Sequence, residues 1–206
     1  MLIAEKIKDE LTLALAIHHE LYELPCKGEY LEELVCQSSK AVGLTSDWEP
    51  NSSHQIGKDQ SINGINISNK SGEFRVKRNG QKVLKITGSR TSKYETIKEK
   101  LDFLSDKVYD YTICCARNKS DWKKGNKVYH LIVLPHINYN SDNFIWKQQT
   151  LKDGTIKENQ WKTCTEHNTN ITCWIGGQNV SGQLYTEFCD KIFLYHETIN
   201  VNDLLN

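Results

Sequence analysis

Apolar residues recur at helical spacing from the start of the chain, with Leu2, Ile3, Ile7, Leu11, Leu15, Ile17 and Leu21 forming a stripe over residues 3–22 that Pro25 ends. A second helix is predicted from Gly28, burying Tyr30, Leu31, Leu34 and Val35. Residues 45–61 are polar and rich in turn formers, which predicts an irregular connection. In GINISNKSG the period drops to two, with Ile65 and Ile67 alternating against polar neighbours, the pattern of a strand that ends near Gly72. Asn79-Gly80 in KRNGQK is a strong hairpin signal, and VLKITGS is the returning strand. Helical spacing resumes in YETIKEKLDFLSDKV at Ile97, Leu101, Leu104 and Val108, and Ser92 with Glu95 three residues on fits a capping box. DYTICCAR and KVYHLIVLP, dense in β-branched and aromatic residues, read as two further strands. Beyond Pro135 the pattern weakens to polar loops with short candidate strands near 171–176 and 188–195. The order predicts an α/β fold: a central mixed β-sheet flanked by helices, with an irregular C-terminal extension. Residues 1–206 are expected to form one domain, with 28–136 as its core.

Composition narrows the class. Of 206 residues, 38% are hydrophobic and 25% charged, and five Trp, nine Tyr and five Phe supply material for a core. No apolar run approaches the roughly 20 residues of a membrane helix. The first twenty residues are acidic and amphipathic without cleavage-site chemistry, so a signal peptide is not expected and a cytoplasmic location is. Seven cysteines, an odd number, argue for reduced thiols, with Cys114 and Cys115 inside a buried strand. Cys164, His167 and Cys173 form one cluster with metal-ligand residue types, but zinc sites usually pair ligands two to four residues apart, twice. Packing is the favoured reading there.

The formal charge is zero, yet it is unevenly spread. Residues 1–34 hold three lysines against eight carboxylates, a net of −5, while residues 70–93 hold eight basic residues against Glu73 alone, a net of +7. A polyanion would dock on the second segment; a solvated basic hairpin is the plainer alternative.

One pair carries chemistry. Asp59 closes HQIGKD, and Lys70 lies eleven residues later on the predicted strand. Phosphodiester hydrolysis needs oxygen ligands for a hard divalent cation and gains from a lysine near the attacking water. An acid at the mouth of one strand and a lysine on the next supply that core, although one acid holds a metal poorly.

An acid, a strand and then acid-x-Lys is the pattern of the PD-(D/E)XK nuclease superfamily, and the chain resembles a type II restriction endonuclease of that kind. Three places carry the resemblance: HQIGKD followed by INISNKSG, the helix GEYLEELV with Glu32 four residues after Gly28, and VSGQLYTEF near the end. It covers residues 28–136 well and the remainder weakly. The departure is Ser68, where the superfamily has Asp or Glu. Some restriction enzymes with serine there recruit a carboxylate from a neighbouring helix, which makes Glu32 the first candidate and Glu73, Glu95 and Glu99 the others. The resemblance implies Mg2+ held by Asp59 and Glu32, Lys70 assisting the attacking water, double-stranded DNA as substrate, a homodimer and a separately encoded methyltransferase. DNA contacts are expected from Ser68, Arg75, Lys77, Arg78, Lys82, Ser89, Arg90 and Gln183, the last a natural partner for an adenine edge. His54 and Gln55 are candidates to lie near the phosphate, and residues 137–206 to add DNA contacts or dimerisation. The alternative function is a catalytically inactive DNA-binding module of the same fold.

Overall fold

A computed structural model of the chain describes residues 2–26, 28–48, 58–140, 142–176 and 182–205, and for Glu29 the backbone only. In order come α1 (Ile3–Leu21), α2 (Glu29–Ala41), β1 (Gln60–Ile62), β2 (Ile65–Val76), β3 (Lys82–Arg90), α3 (Ile97–Ser105), β4 (Tyr111–Arg117), α4 (Lys119–Lys123), β5 (Val128–Pro135), β6 (Trp146–Thr150), β7 (Ile156–Thr163), β8 (Ile171–Ile175), β9 (Gln183–Cys189) and β10 (Tyr195–Asn200). The fold is α/β. The chain divides into two compact units, one of residues 1–75, 108–136 and 192–206, the other of residues 76–107 and 137–191. Among the described residues no helix is long and apolar enough to cross a membrane.

In the first unit the strand order is β10-β5-β4-β2, with β1 on β2. β2 and β4 run parallel, and β1–β2, β4–β5 and β5–β10 antiparallel, so the sheet is mixed. Strand alternation divides its side chains cleanly. One face carries Ile62, Ile67, Ile113, Cys115, Leu131 and Val133, which pack under Ile7, Leu11 and Leu15 of α1 and Leu31 and Val35 of α2. Each Ile, Leu or Val among them contributes about 1.5–3 kcal/mol when fully buried. The buried stripe of α1 is Ala4, Ile7, Leu11, Leu15 and His19. Ile17 and Leu21, expected on that stripe, are exposed, as is Tyr30 of α2, because 3.6 residues per turn carries them off the seam.

His19 ends the stripe in a polar knot. Its Nδ1 donates to the Tyr22 carbonyl at 2.7 Å, which leaves Nε2 to accept from the Tyr129 hydroxyl at 3.0 Å. The same hydroxyl accepts from the Cys26 N–H at 2.8 Å. Burial holds His19 below the usual imidazole range.

The second unit is an antiparallel sheet in the order β3-β9-β8-β7-β6, together with α3. The expected irregular C-terminal extension is therefore corrected: residues 146–189 form four paired strands, and β10 adds a fifth to the first unit. β6 and β7 are largely exposed, so they carry few apolar residues and left little pattern to read. The cap of α3 also differs. Thr96 and Glu99 form the capping box, one turn after Ser92 and Glu95, and both pairs satisfy the same spacing. The Tyr94 N–H instead turns back to the Thr91 carbonyl at 3.1 Å, and the Lys100 ammonium takes the Tyr94 and Glu95 carbonyls. The helix stops at Ser105, leaving Val108 exposed.

Candidate active site

β1 is short, but it fixes Asp59. The Asp59 N–H donates to the Ile67 carbonyl at 2.9 Å, and Gln60 pairs with Ile67, so Asp59 comes opposite Ser68. Ser68 and Lys70 are two apart on β2 and share the face turned away from α1 and α2. There Asp59 Oδ2 accepts from the Ser68 hydroxyl at 3.2 Å, the Asn69 N–H at 2.5 Å and the Lys70 ammonium at 2.9 Å. The ammonium also donates to the Asn69 carbonyl at 2.9 Å. The Lys70 side chain is 33% exposed and that of Asp59 16%, so a polar ligand can reach both. Cys114 lies beside Lys70 in register, and burial pushes its thiol well up, which makes it a packing residue rather than a nucleophile.

The donor set can be tested against a hard divalent cation, which takes oxygen ligands. Asp59, the Ser68 hydroxyl and the Asn69 carbonyl offer only oxygens, and two of them already hold the Lys70 cation. The second Asp59 oxygen accepts no hydrogen bond from a described residue. These atoms fit Mg2+ in kind, with one carboxylate among them. No group of three or more His, Cys, Asp or Glu side chains is placed to hold a metal among the described residues.

The other expected acids are placed elsewhere. Glu32 belongs to α2, which covers the opposite face of the sheet, and it accepts from the Trp48 indole at 3.3 Å. Glu73 lies within β2, which runs on to Val76 rather than ending near Gly72. Three residues from Lys70, it falls on the opposite face, paired with Lys119 at 2.6 Å. Glu95 and Glu99 belong to the second unit, where the Glu99 carboxylate is committed to the α3 cap and held below the usual range by its Thr96 hydrogen bonds. Sequence reasoning missed Asp47, which receives the Ser61 N–H alongside β1 and pairs with Lys58 at 3.3 Å; it sits in a polar connection with no motif to mark it. It also missed the buried Asn69 side-chain amide, whose oxygen and nitrogen have no partner among the described residues.

The expected DNA contacts divide similarly. Arg75, Arg78, Lys82 and Arg90 are exposed. Lys77 pairs with Glu187 at 2.7 Å, the Ser89 hydroxyl receives the Lys107 ammonium, and the Gln183 amide donates to the Gly88 carbonyl, so these three are engaged within the second unit. His54 and Gln55 lie outside the described residues. Cys173 is packed inside β8 with its thiol pushed up to about 12 by burial, while His167 is exposed.

The VSGQLYTEF segment has a structural reason for its glycine. The Gly182 carbonyl accepts from the Thr91 N–H at 2.7 Å and the Thr91 hydroxyl at 2.8 Å. Its φ is +70°, and a Cβ there would lie 2.6 Å from the Ser92 nitrogen. Comparison of the chain with protein-family models, with curated proteins and with solved structures finds no match.

Proposed function

We propose that the protein is a Mg2+-dependent, sequence-specific endonuclease of double-stranded DNA, of the PD-(D/E)XK type and acting as a homodimer. The observation that supports this most is the Asp59–Ser68–Lys70 group: an acid and a lysine from paired strands, on one face, joined at 2.9 Å and open to a ligand. Asp59, with the Asn69 carbonyl and the Ser68 hydroxyl, would hold Mg2+, whose charge there would offset that of the scissile phosphate and acidify water. Lys70 is set to stabilise the negative charge that grows on the phosphorus oxygens and to hold the attacking water. Ser68 keeps the Asp59 carboxylate oriented, and the exposed Arg75, Arg78, Lys82 and Arg90 supply sites for backbone phosphates.

A second reading has its own support. Ser68 stands where an acid is expected, and Glu32 and Glu73 lie on the far face, which favours a catalytically inactive DNA-binding module. Incubating plasmid DNA with the wild-type protein, with and without Mg2+, separates the two. The nuclease yields fragments with defined ends only when metal is present; the binding module shifts DNA in Ca2+ and never cuts it.

A further inference from the structure

The second unit turns one sheet face inward and the other outward, and the outward face is not an ordinary polar surface. β8 and β9 alternate as far as Phe188, burying Cys173, Ile175, Leu184, Thr186 and Phe188 on one side. On the other side the registers place Lys147 opposite Lys162, Lys162 opposite Trp174, Trp174 opposite Tyr185, and Tyr185 opposite Thr87. Directly opposed residues share a face, so these five form one row across β6, β7, β8, β9 and β3. With strands about 4.8 Å apart, the row is about 19 Å long. Trp174 and Tyr185 lie nearly parallel, 18° apart with centroids at 5.5 Å. The Lys85 ammonium stands over both rings, at 5.2 Å and 4.9 Å. Lys147, Lys162 and Thr87 are exposed and the two rings half-exposed. Glu187 lies opposite Lys85 in register and is paired with Lys77 at 2.7 Å.

We propose that this row is a binding platform for a single strand of nucleic acid, with an unpaired base stacked on the Trp174–Tyr185 pair and flanking phosphates on Lys85, Lys147 and Lys162. The choice of occupant follows from the chemistry. Two ammonium groups in the row and a third over its rings, from Lys85 two residues along β3 from Thr87, complement a polyanion, and the flat rings match a ligand whose anionic groups alternate with π faces. In an intact duplex the base faces are covered by their neighbours, so the strand must be unpaired where it meets the rings. The lysine stems can swing aside, so Lys85 exchanges one π partner for a phosphate while the base takes its place. The site lies in the second unit and does not depend on the nuclease reading.

The test is binding in EDTA of a fluorescent oligothymidylate and of a duplex of the same length, followed by anisotropy over a range of salt. The wild-type protein should bind the single strand, and duplex binding should be insensitive to the platform variants. Trp174→Ala should weaken single-strand binding about tenfold. Lys147→Ala with Lys162→Ala, both at exposed positions that leave the core untouched, should weaken it and flatten the log–log salt slope by about 1.4. Ultraviolet crosslinking of a 5-iodouracil strand should map to residues 171–189. No single-strand affinity, crosslinks confined to other peptides, or an unchanged salt slope in the double variant would each overturn the platform. Cleavage plays no part in these readouts, so their failure leaves the nuclease proposal standing, and a failed cleavage assay leaves the platform standing.

Discussion

Lys70 and Asp59 meet across a hairpin because alternation and register put them on one face, and Ser68 is the residue that can be made to report on what they hold. Replacing Ser68 with Asp places a second carboxylate on that face, beside Asp59. With two acids, Mg2+ should raise the melting temperature more than it raises that of the wild type, since a ligand that binds the folded state stabilises it. Equal shifts in calorimetry would mean the face does not hold the cation. Glu32→Gln should leave DNA cleavage within a few-fold, because its helix covers the opposite face. Loss of cleavage in that variant would show that Glu32 reaches the site.

The knot at His19 gives a pH prediction of a different kind. As a neutral ring, His19 accepts the Tyr129 hydroxyl; protonated, it cannot. Its folded value is lowered, while the unfolded chain takes up its proton near pH 6.5. Its contribution is therefore present above about pH 6.5 and is lost as pH falls through that value toward the lower folded one. Urea midpoints should fall between pH 7 and 5.5, and the slope should be smaller in His19→Asn; an equal slope would remove His19 as the cause. Tyr129→Phe leaves the buried Cys26 N–H without its acceptor and should cost about 1–3 kcal/mol in urea unfolding.

At the scale of elements, what the sequence revealed depended on how completely each element is buried. β4 and β5 announced themselves because both of their faces are covered and, Arg117 and His130 apart, their positions are apolar, aromatic or small. β6 and β7 stayed hidden because exposure relaxes the demand for apolar residues. The α3 cap was misplaced for another reason: Ser92–Glu95 and Thr96–Glu99 share a spacing, and only tertiary contacts around Thr91 and Gly182 choose between them. Thr96→Ala should therefore cost about 1 kcal/mol, whereas Ser92→Ala should cost less, because the Ser92 hydroxyl caps no helix. Equal losses in denaturant melts would return the cap to Ser92. The candidate site was legible as far as Lys70, on a strand with clear period two, and Asp59, marked by its motif spacing to Lys70 although β1 beside it lies in a stretch that reads as irregular. The placement of Glu32 was not, because sequence spacing does not tell which face of a sheet a helix will cover.

At the scale of the whole molecule, a chain with no net charge would, on the proposed reading, carry a phosphodiesterase centre in its first unit. The basic segment between residues 70 and 93 would supply the attraction to DNA, although Lys77 is already paired within the protein. Attraction to DNA is shared by the nuclease and the inactive binding module, so binding alone does not decide between them. The lysine does, because in the proposed nuclease it would act on the attacking water and the transition state rather than on the bound duplex. The most direct measurement is single-turnover cleavage of plasmid DNA in Mg2+ by the wild-type protein and by Lys70→Ala, with binding of the same DNA measured in Ca2+. The expected result is cutting by the wild type, a loss of at least about a hundredfold in the variant, and Ca2+-supported binding within a few-fold of wild type. Cutting by Lys70→Ala at more than about one tenth of the wild-type rate, or no cutting by the wild type in either Mg2+ or Mn2+, would contradict it.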